Sequence, residues 1–198
     1  MNAPNTVQHA LKEWAVAIEA LERGETALVV RKGGIREKAF AVERTRFLLF
    51  PSYEHQRPDL LKPEYAWLMD EVPRDRKDDG PVIFSSYAEV VGAFEVSERE
   101  DLEAVDPYHV WTPEYAESRF RWRPKKPLTV LVLRSYVLPE PVELAYGENY
   151  GGCKSWIGVD EPVSVAGARP ALDDKSFERL AGPALDVLRR LEPAPVGG

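Results

Sequence analysis

The chain has one cysteine and three histidines in 198 residues, and that scarcity sets the first limits. A single thiol forms no internal disulfide, and Cys153 has no second cysteine with which to hold zinc. His9, His55 and His109 are scattered rather than paired at ligand spacing, so neither a metal nor a cofactor is expected. No apolar run approaches the roughly 20 residues of a membrane-spanning helix. The N-terminal stretch MNAPNTVQHALKEW lacks the charged start and apolar core of a signal peptide. The expectation is a cytoplasmic protein with no membrane partner. Also missing are a Gly-x-Ser-x-Gly elbow, a Walker loop and a dinucleotide fingerprint, the motifs that tie a sequence to a reaction.

What the chain does have is 44% hydrophobic residues, and a chain of this length buries about 70% of its unfolded surface. A single domain over 1–198 is expected. Its net charge is −7, yet the charge is unevenly spread. From Arg119 to Arg134 there are six cations and no acid, and from Arg31 to Arg57 seven cations against three acids. A mostly acidic body with two basic segments suits an anionic partner held at one face.

Periodicity predicts an N-terminal helix over 7–23, with Leu11, Trp14, Ala15, Ile18 and Leu21 on one face and Gly24 as its stop. TALVVR (26–31) and RFLLF (46–50) read as strands, and VPRDRKDDG (72–80) as a mobile surface loop with nothing to bury. Residues 82–96 read as a bent strand or two, with Gly92 at a bulge or corner. Ser97 and Glu100 fit a capping box for a short helix to Val105, and Thr112-Pro113 begins another. LTVLVLRSYVL (128–138) is the central strand, a short strand follows near 153–159, and a helix interrupted near Gly182-Pro183 covers 174–191. The PAPVGG tail reads as disordered. A β-rich body over 26–165 between terminal helices predicts an α+β fold with a curved, mainly antiparallel sheet or a small β-barrel, flanked by helices.

The segments RKGGIRE, RFLLFPSYEHQ, RFRW followed by KPLTVLVLRSY, and GGCKSW resemble the bacterial family known as domain of unknown function 1802, over roughly Trp14 to Val159. That resemblance implies no activity; it implies an occasional association with Mrr-type restriction nucleases, and so restriction or defence proteins as partners. A weaker resemblance is to the PUA-like ASCH and EVE domains, whose small β-barrels bind RNA or modified bases. Gly24, Thr26 and Arg31 look like an ASCH opening, and Ser118 to Trp122 with Pro141 to Leu144 look like the end of an EVE domain. Some ASCH proteins hydrolyse an acylated cytidine with a Lys, a Thr and a Glu. With Arg31 aligned to the strand-end Arg of that family, its Lys falls on Thr26 and its Thr on Val29, which argues against that hydrolysis here.

Each candidate site residue carries two readings. Gly33 and Gly34, flanked by Arg31, Lys32 and Arg36, form either a phosphate-holding loop or a hairpin turn with solvated charges. The tip Ser52, Tyr53, Glu54, His55 and Gln56 follows a buried strand, where His55 is either a general base or an ordinary exposed or hydrogen-bonded histidine. Arg119, Phe120, Arg121, Trp122 and Arg123, with Lys126, interleave cations and rings as single-strand binding requires. Alternation would instead put Phe120 and Trp122 in the core and the arginines outside. Tyr146, Tyr150 and Trp156 around Asn149 and Gly151-Gly152 form either an aromatic cage for a base or the closed end of a barrel, and Lys154 is a further nucleic-acid-binding candidate. A metal-dependent nuclease needs Asp/Glu-x-Lys on a strand, and that spacing falls only in the loop at Asp75 and at the helix start at Asp173.

The leading functional reading is a non-catalytic nucleic-acid-binding module, a reader of modified or foreign DNA or RNA, working through the 31–38 and 119–126 segments. The second is an enzyme acting on a nucleotide or modified base, with His55, Glu54 and Lys62 lining a pocket. The third is a protein-interaction subunit of a defence operon, with the acidic terminal helices as its contact surface. A deep cavity at the His55 tip favours the second, and a flat basic groove the first.

Overall fold

The computed structural model describes residues 5–32, 40–54, 56–122, 125–152 and 154–197. Its strands are β1 (Thr6–Trp14), β2 (Leu28–Arg31), β3 (Arg46–Ser52), β4 (Val82–Val96), β5 (Leu128–Leu144), β6 (Trp156–Ser164) and β7 (Arg169–Pro170). They form one sheet in the order β2-β5-β4-β3-β1-β6, with β7 paired to β5. Only β1 and β3 run parallel, and the other pairs are antiparallel. This is the expected α+β fold with a curved, mainly antiparallel sheet.

Among the described residues no ladder joins β2 to β6, so the sheet is open rather than a closed barrel. It nevertheless curls until side chains bridge its margins. Arg31 at the end of β2 donates to Glu13 in β1 at 2.8 Å and to Ser155, just ahead of β6, at 3.2 Å. Inside the curl, Leu11, Val29, Phe47, Leu49, Leu131 and Leu133 pack with Ile18 and Leu21 of helix α1 (Ala15–Glu22). Outside it, α3 (Arg99–Val105), α4 (Pro113–Arg121) and α5 (Asp174–Leu188) cover Leu128, Val130 and Val132 of β5. Both faces of β5 are thus buried from Leu128 to Leu133, as its near-continuous apolar run implies. The short α2 (Leu68–Glu71) packs near α1 through buried Leu68. No helix of the described residues is long and apolar enough to cross a membrane.

The helix expected over 7–23 is a correction. Residues 6–14 are a strand between β3 and β6, and the helix begins only at Ala15. The pairing with β6 slips between Val7 and His9, which moves the buried positions from Val7 to Ala10 and Leu11. A bulge of this kind converts strand alternation into spacings of three and four, the same spacings an amphipathic helix shows.

Other details divide. Thr112 caps α4, its Oγ1 accepting from the Tyr115 N–H at 3.2 Å, with Pro113 at the first helical position. The capping box at Ser97 does not form; α3 starts at Arg99 with no side-chain cap. Helix α5 runs through Pro183 without a break. The C-terminal tail is not loose among the described residues. Ala194 donates to Ala93 O at 2.9 Å, and Val196 bridges Val42, because β4 and residue 42 offer it unpaired backbone groups.

Gly92 sits where the β4–β5 register shifts, leaving Val91 as the extra residue, exposed at the surface. A Cβ at Gly92 would lie 2.6 Å from the Phe94 ring. Gly92→Ala is therefore expected to cost about 1–3 kcal/mol by overpacking, read as a lower urea midpoint; an unchanged midpoint would mean that Phe94 yields freely.

Candidate functional site

Because β1 and β3 are parallel, their C-terminal ends emerge side by side. Lys12, Glu13 and Trp14 end β1, and β3 leads through Ser52 into Tyr53 and Glu54. The end of β2 approaches from the opposite margin of the curled sheet. Helix α4 and the residue after it contribute Tyr115, Arg119 and Trp122, and residues 76–79 close a further side. Together they line an open cleft of about 780 Å³.

Among the described residues, seven cations and four carboxylates line this cleft, in a chain whose net charge is −7. So do three of the five tryptophans, together with three tyrosines. Trp14, Trp111 and Tyr115 form a mutual cluster with ring centroids 5.0–5.4 Å apart. Arg119 lies over the Trp122 ring at 5.5 Å. The helical turn of α4 explains this last pair, since residues three apart share a face. The alternation considered for Phe120 and Trp122 is therefore a correction: Phe120 packs on the outer core, while Trp122 faces the cleft with Arg119.

Glu13 and Arg31 meet at the cleft, and both are largely buried, with side chains 8% and 16% exposed. Glu13 Oε1 also accepts the Trp14 N–H at 2.8 Å, and Arg31 lies over the Phe40 ring at 5.5 Å. The guanidinium is thus held in one orientation. Lys32 Nζ donates to the carbonyls of Phe120 at 2.9 Å and Lys126 at 2.6 Å, tying β2 to the end of α4. Burial, then the nearby Arg119, lowers its pKa. Burial pushes the Tyr115 hydroxyl up to about 12, so it stays a neutral hydrogen-bonding group; Arg119 and Arg31 pull the other way.

The 72–80 segment is not a loose loop. Asp78 accepts from Ser52 Oγ at 2.7 Å and from the Tyr53 N–H at 2.5 Å, which pins residues 76–79 against the end of β3 as a wall of the cleft. Charge density masked this, because the residues bury backbone-directed hydrogen bonds rather than apolar surface.

The structure brings Arg31, Lys32, Tyr53, Glu54, Arg119, Trp122 and Lys154 to this cleft. Others lie elsewhere. Gln56 Oε1 accepts the Val16 N–H at 2.8 Å and so anchors the start of α1. Lys62 Nζ bonds the carbonyls of Asp106 and of buried His109, away from the cleft lining. Arg121 pairs with Glu117 at 2.7 Å on the outside of α4. Lys126 meets Lys32 only through its carbonyl, and Asn149 is exposed, its carbonyl accepting from Lys154 at 3.2 Å. Tyr150 is fully buried against Phe50, and Trp156 packs on Phe47 with its Nε1 donating to Ala41 O at 2.8 Å. The aromatic cage therefore does not form around Tyr150 and Trp156, and of its three rings only that of Tyr146 lines the cleft. Gly33, Gly34, Arg36, His55, Arg123 and Cys153 lie outside the described residues.

Sequence reasoning passed over Lys12, Glu13, Trp14, Trp111, Tyr115 and Asp78. Reading 6–14 as a strand would have flagged the polar Lys12-Glu13 pair at its end. Thr26, where the ASCH alignment puts a catalytic Lys, is buried with its Oγ1 bonded to Tyr108 O at 3.0 Å, and Val29 is in the core.

An α+β protein with a curled mixed sheet and a cationic, aromatic cleft at its strand ends is the class these features define. The chain belongs to the family described as Domain of unknown function (DUF1802), whose profile matches residues 10–182. No curated protein matches the sequence. Among solved structures, a point mutant of ZmASCH from Zymomonas mobilis aligns over 91% of this chain and 98% of that chain, at 10% identity and a TM-score of 0.41. A likeness that loose says nothing of ligand or activity.

Proposed function

We propose that the cleft binds nucleic acid presenting unpaired bases, stacking them on its rings and holding phosphates with its cations, without turning them over. The observation that supports this is the gathering of seven cations and three tryptophans in one cleft of an acidic chain. Stacking is indifferent to sequence and needs exposed base faces, which a duplex does not offer. The wider setting we propose, resting on the family resemblance, is a cytoplasmic reader of modified or foreign DNA or RNA alongside restriction or defence proteins, which co-purification would reveal.

Fluorescence anisotropy with labelled single-stranded and duplex oligonucleotides at low salt tests the reading. Single strands should bind with strong salt dependence and quench tryptophan emission. Trp122→Ala should weaken binding by about 1–3 kcal/mol, and Arg119→Ala should reduce the magnitude of the salt slope by about 1. Absence of binding, or binding indifferent to salt, would sink it. A second reading, an enzyme acting on a nucleotide or modified base, draws on the cleft volume of about 780 Å³, within the small-molecule range of about 300–1,000 Å³. Chromatography of nucleotides incubated with the protein would show product if it holds.

A further inference from the structure

Resting on the reading that the cleft holds nucleic acid, we propose that Glu13 and Arg31 determine its specificity, hydrogen-bonding the edge of an unpaired base while phosphates stay with the other cations.

A carboxylate at the cleft, 8% exposed, is hard to explain by phosphate binding or by stability. It repels phosphate, and a buried ion pair is on average no more stabilising than two apolar side chains. What it offers is an acceptor. Of about four lone-pair sites on a carboxylate, the protein uses two, for the Trp14 N–H and for Arg31. Arg31 is likewise only partly engaged. One N–H on each Nη goes to Glu13 or Ser155, which leaves a second N–H on each nitrogen; the Nε–H is buried without an acceptor among the described residues and is no donor to the cleft. Acceptor and donors stand side by side and are rigidly held. Beside them are the rings of Trp14, Trp111 and Tyr115.

A flat ring that carries an N–H donor next to an acceptor on one edge matches this set, and the Watson–Crick edge of a nucleobase is such a group. That edge is free only when the base is unpaired. Paired donor and acceptor contacts discriminate between bases by about 5- to 150-fold. Arg119 of α4 and Lys154 remain for the backbone.

The test compares the full chain and two variants on single strands of A, C, G and T, and on an abasic strand of equal length. The native protein should separate its strongest from its weakest base by about tenfold and bind the abasic strand more weakly than any of them. Glu13→Gln should bring that separation below about threefold with the salt slope unchanged. Arg31→Lys keeps the charge opposite Glu13 but loses the planar fork, and should do the same; it serves if Glu13→Gln does not fold. Discrimination that survives both substitutions would overturn the assignment and leave the binding reading intact, whereas an abasic strand bound as tightly as the others would overturn the assignment together with the base stacking on which the reading rests. Binding to none of the strands would remove both.

Discussion

Glu13→Ala is expected to destabilise the protein by about 3–5 kcal/mol, the range for removing one partner of a buried ion pair. Arg31 would keep its charge with a side chain 16% exposed and no carboxylate against it, and the Trp14 N–H would lose its acceptor. The pair also ties the margin strand β2 to β1, the strand next to the opposite margin, so its loss leaves the curl without that tie. Replacing both residues by methionine should recover most of the lost stability, since apolar side chains of similar volume remove the desolvation cost along with the attraction. Discrimination between bases should nevertheless be lost in the double variant. Urea denaturation separates the cases; a single variant within about 1 kcal/mol of the native protein would mean that solvent reaches Arg31 freely.

Acid is expected to weaken the fold through His109. Its imidazole is buried, and burial, then the Lys62 ammonium, lowers its pKa to about 4, with Asp106 pulling the other way. In the unfolded chain the group titrates near 6.5, so between those values the unfolded state binds the extra proton. The stability tied to neutral His109 is therefore complete above about pH 6.5 and declines as pH falls toward 4, by about 3 kcal/mol in all. Carboxylates titrate over part of the same range, so the comparison with His109→Gln isolates the effect. The variant should show a flatter decline in denaturation midpoint from pH 7 to 4. Parallel curves for the two proteins would remove His109 as the cause.

Legibility varied with how local the cause was. The strands β2, β3 and β5 were readable because their apolar runs are bounded by glycine or proline, and the cap at Thr112 because it involves residues three apart. Strand β1 was not, since its bulge against β6 imitates a helical period. At the site, Arg31, Lys32, Arg119 and Trp122 stood out by charge and ring content in two basic windows. Glu13 and Trp111 did not, because nothing near either in sequence marks it as facing a cleft. Asp78 was hidden in a charged loop whose anchor, the Tyr53 N–H, lies 25 residues away.

What the sequence by itself determined is an α+β chain with no internal disulfide, a strand apolar on both faces and two cationic segments within an acidic whole; the expected central strand, β5, instead lies second from the β2 margin. Those follow from composition and short-range pattern, which need no partner. That the two segments share a cleft was decided only by tertiary structure. The sheet curls far enough for Arg31 to meet Glu13, and Lys32 ties β2 to the end of α4, 88 residues on along the chain. Contacts across such separations depend on strand order and twist, which no local run of residues records.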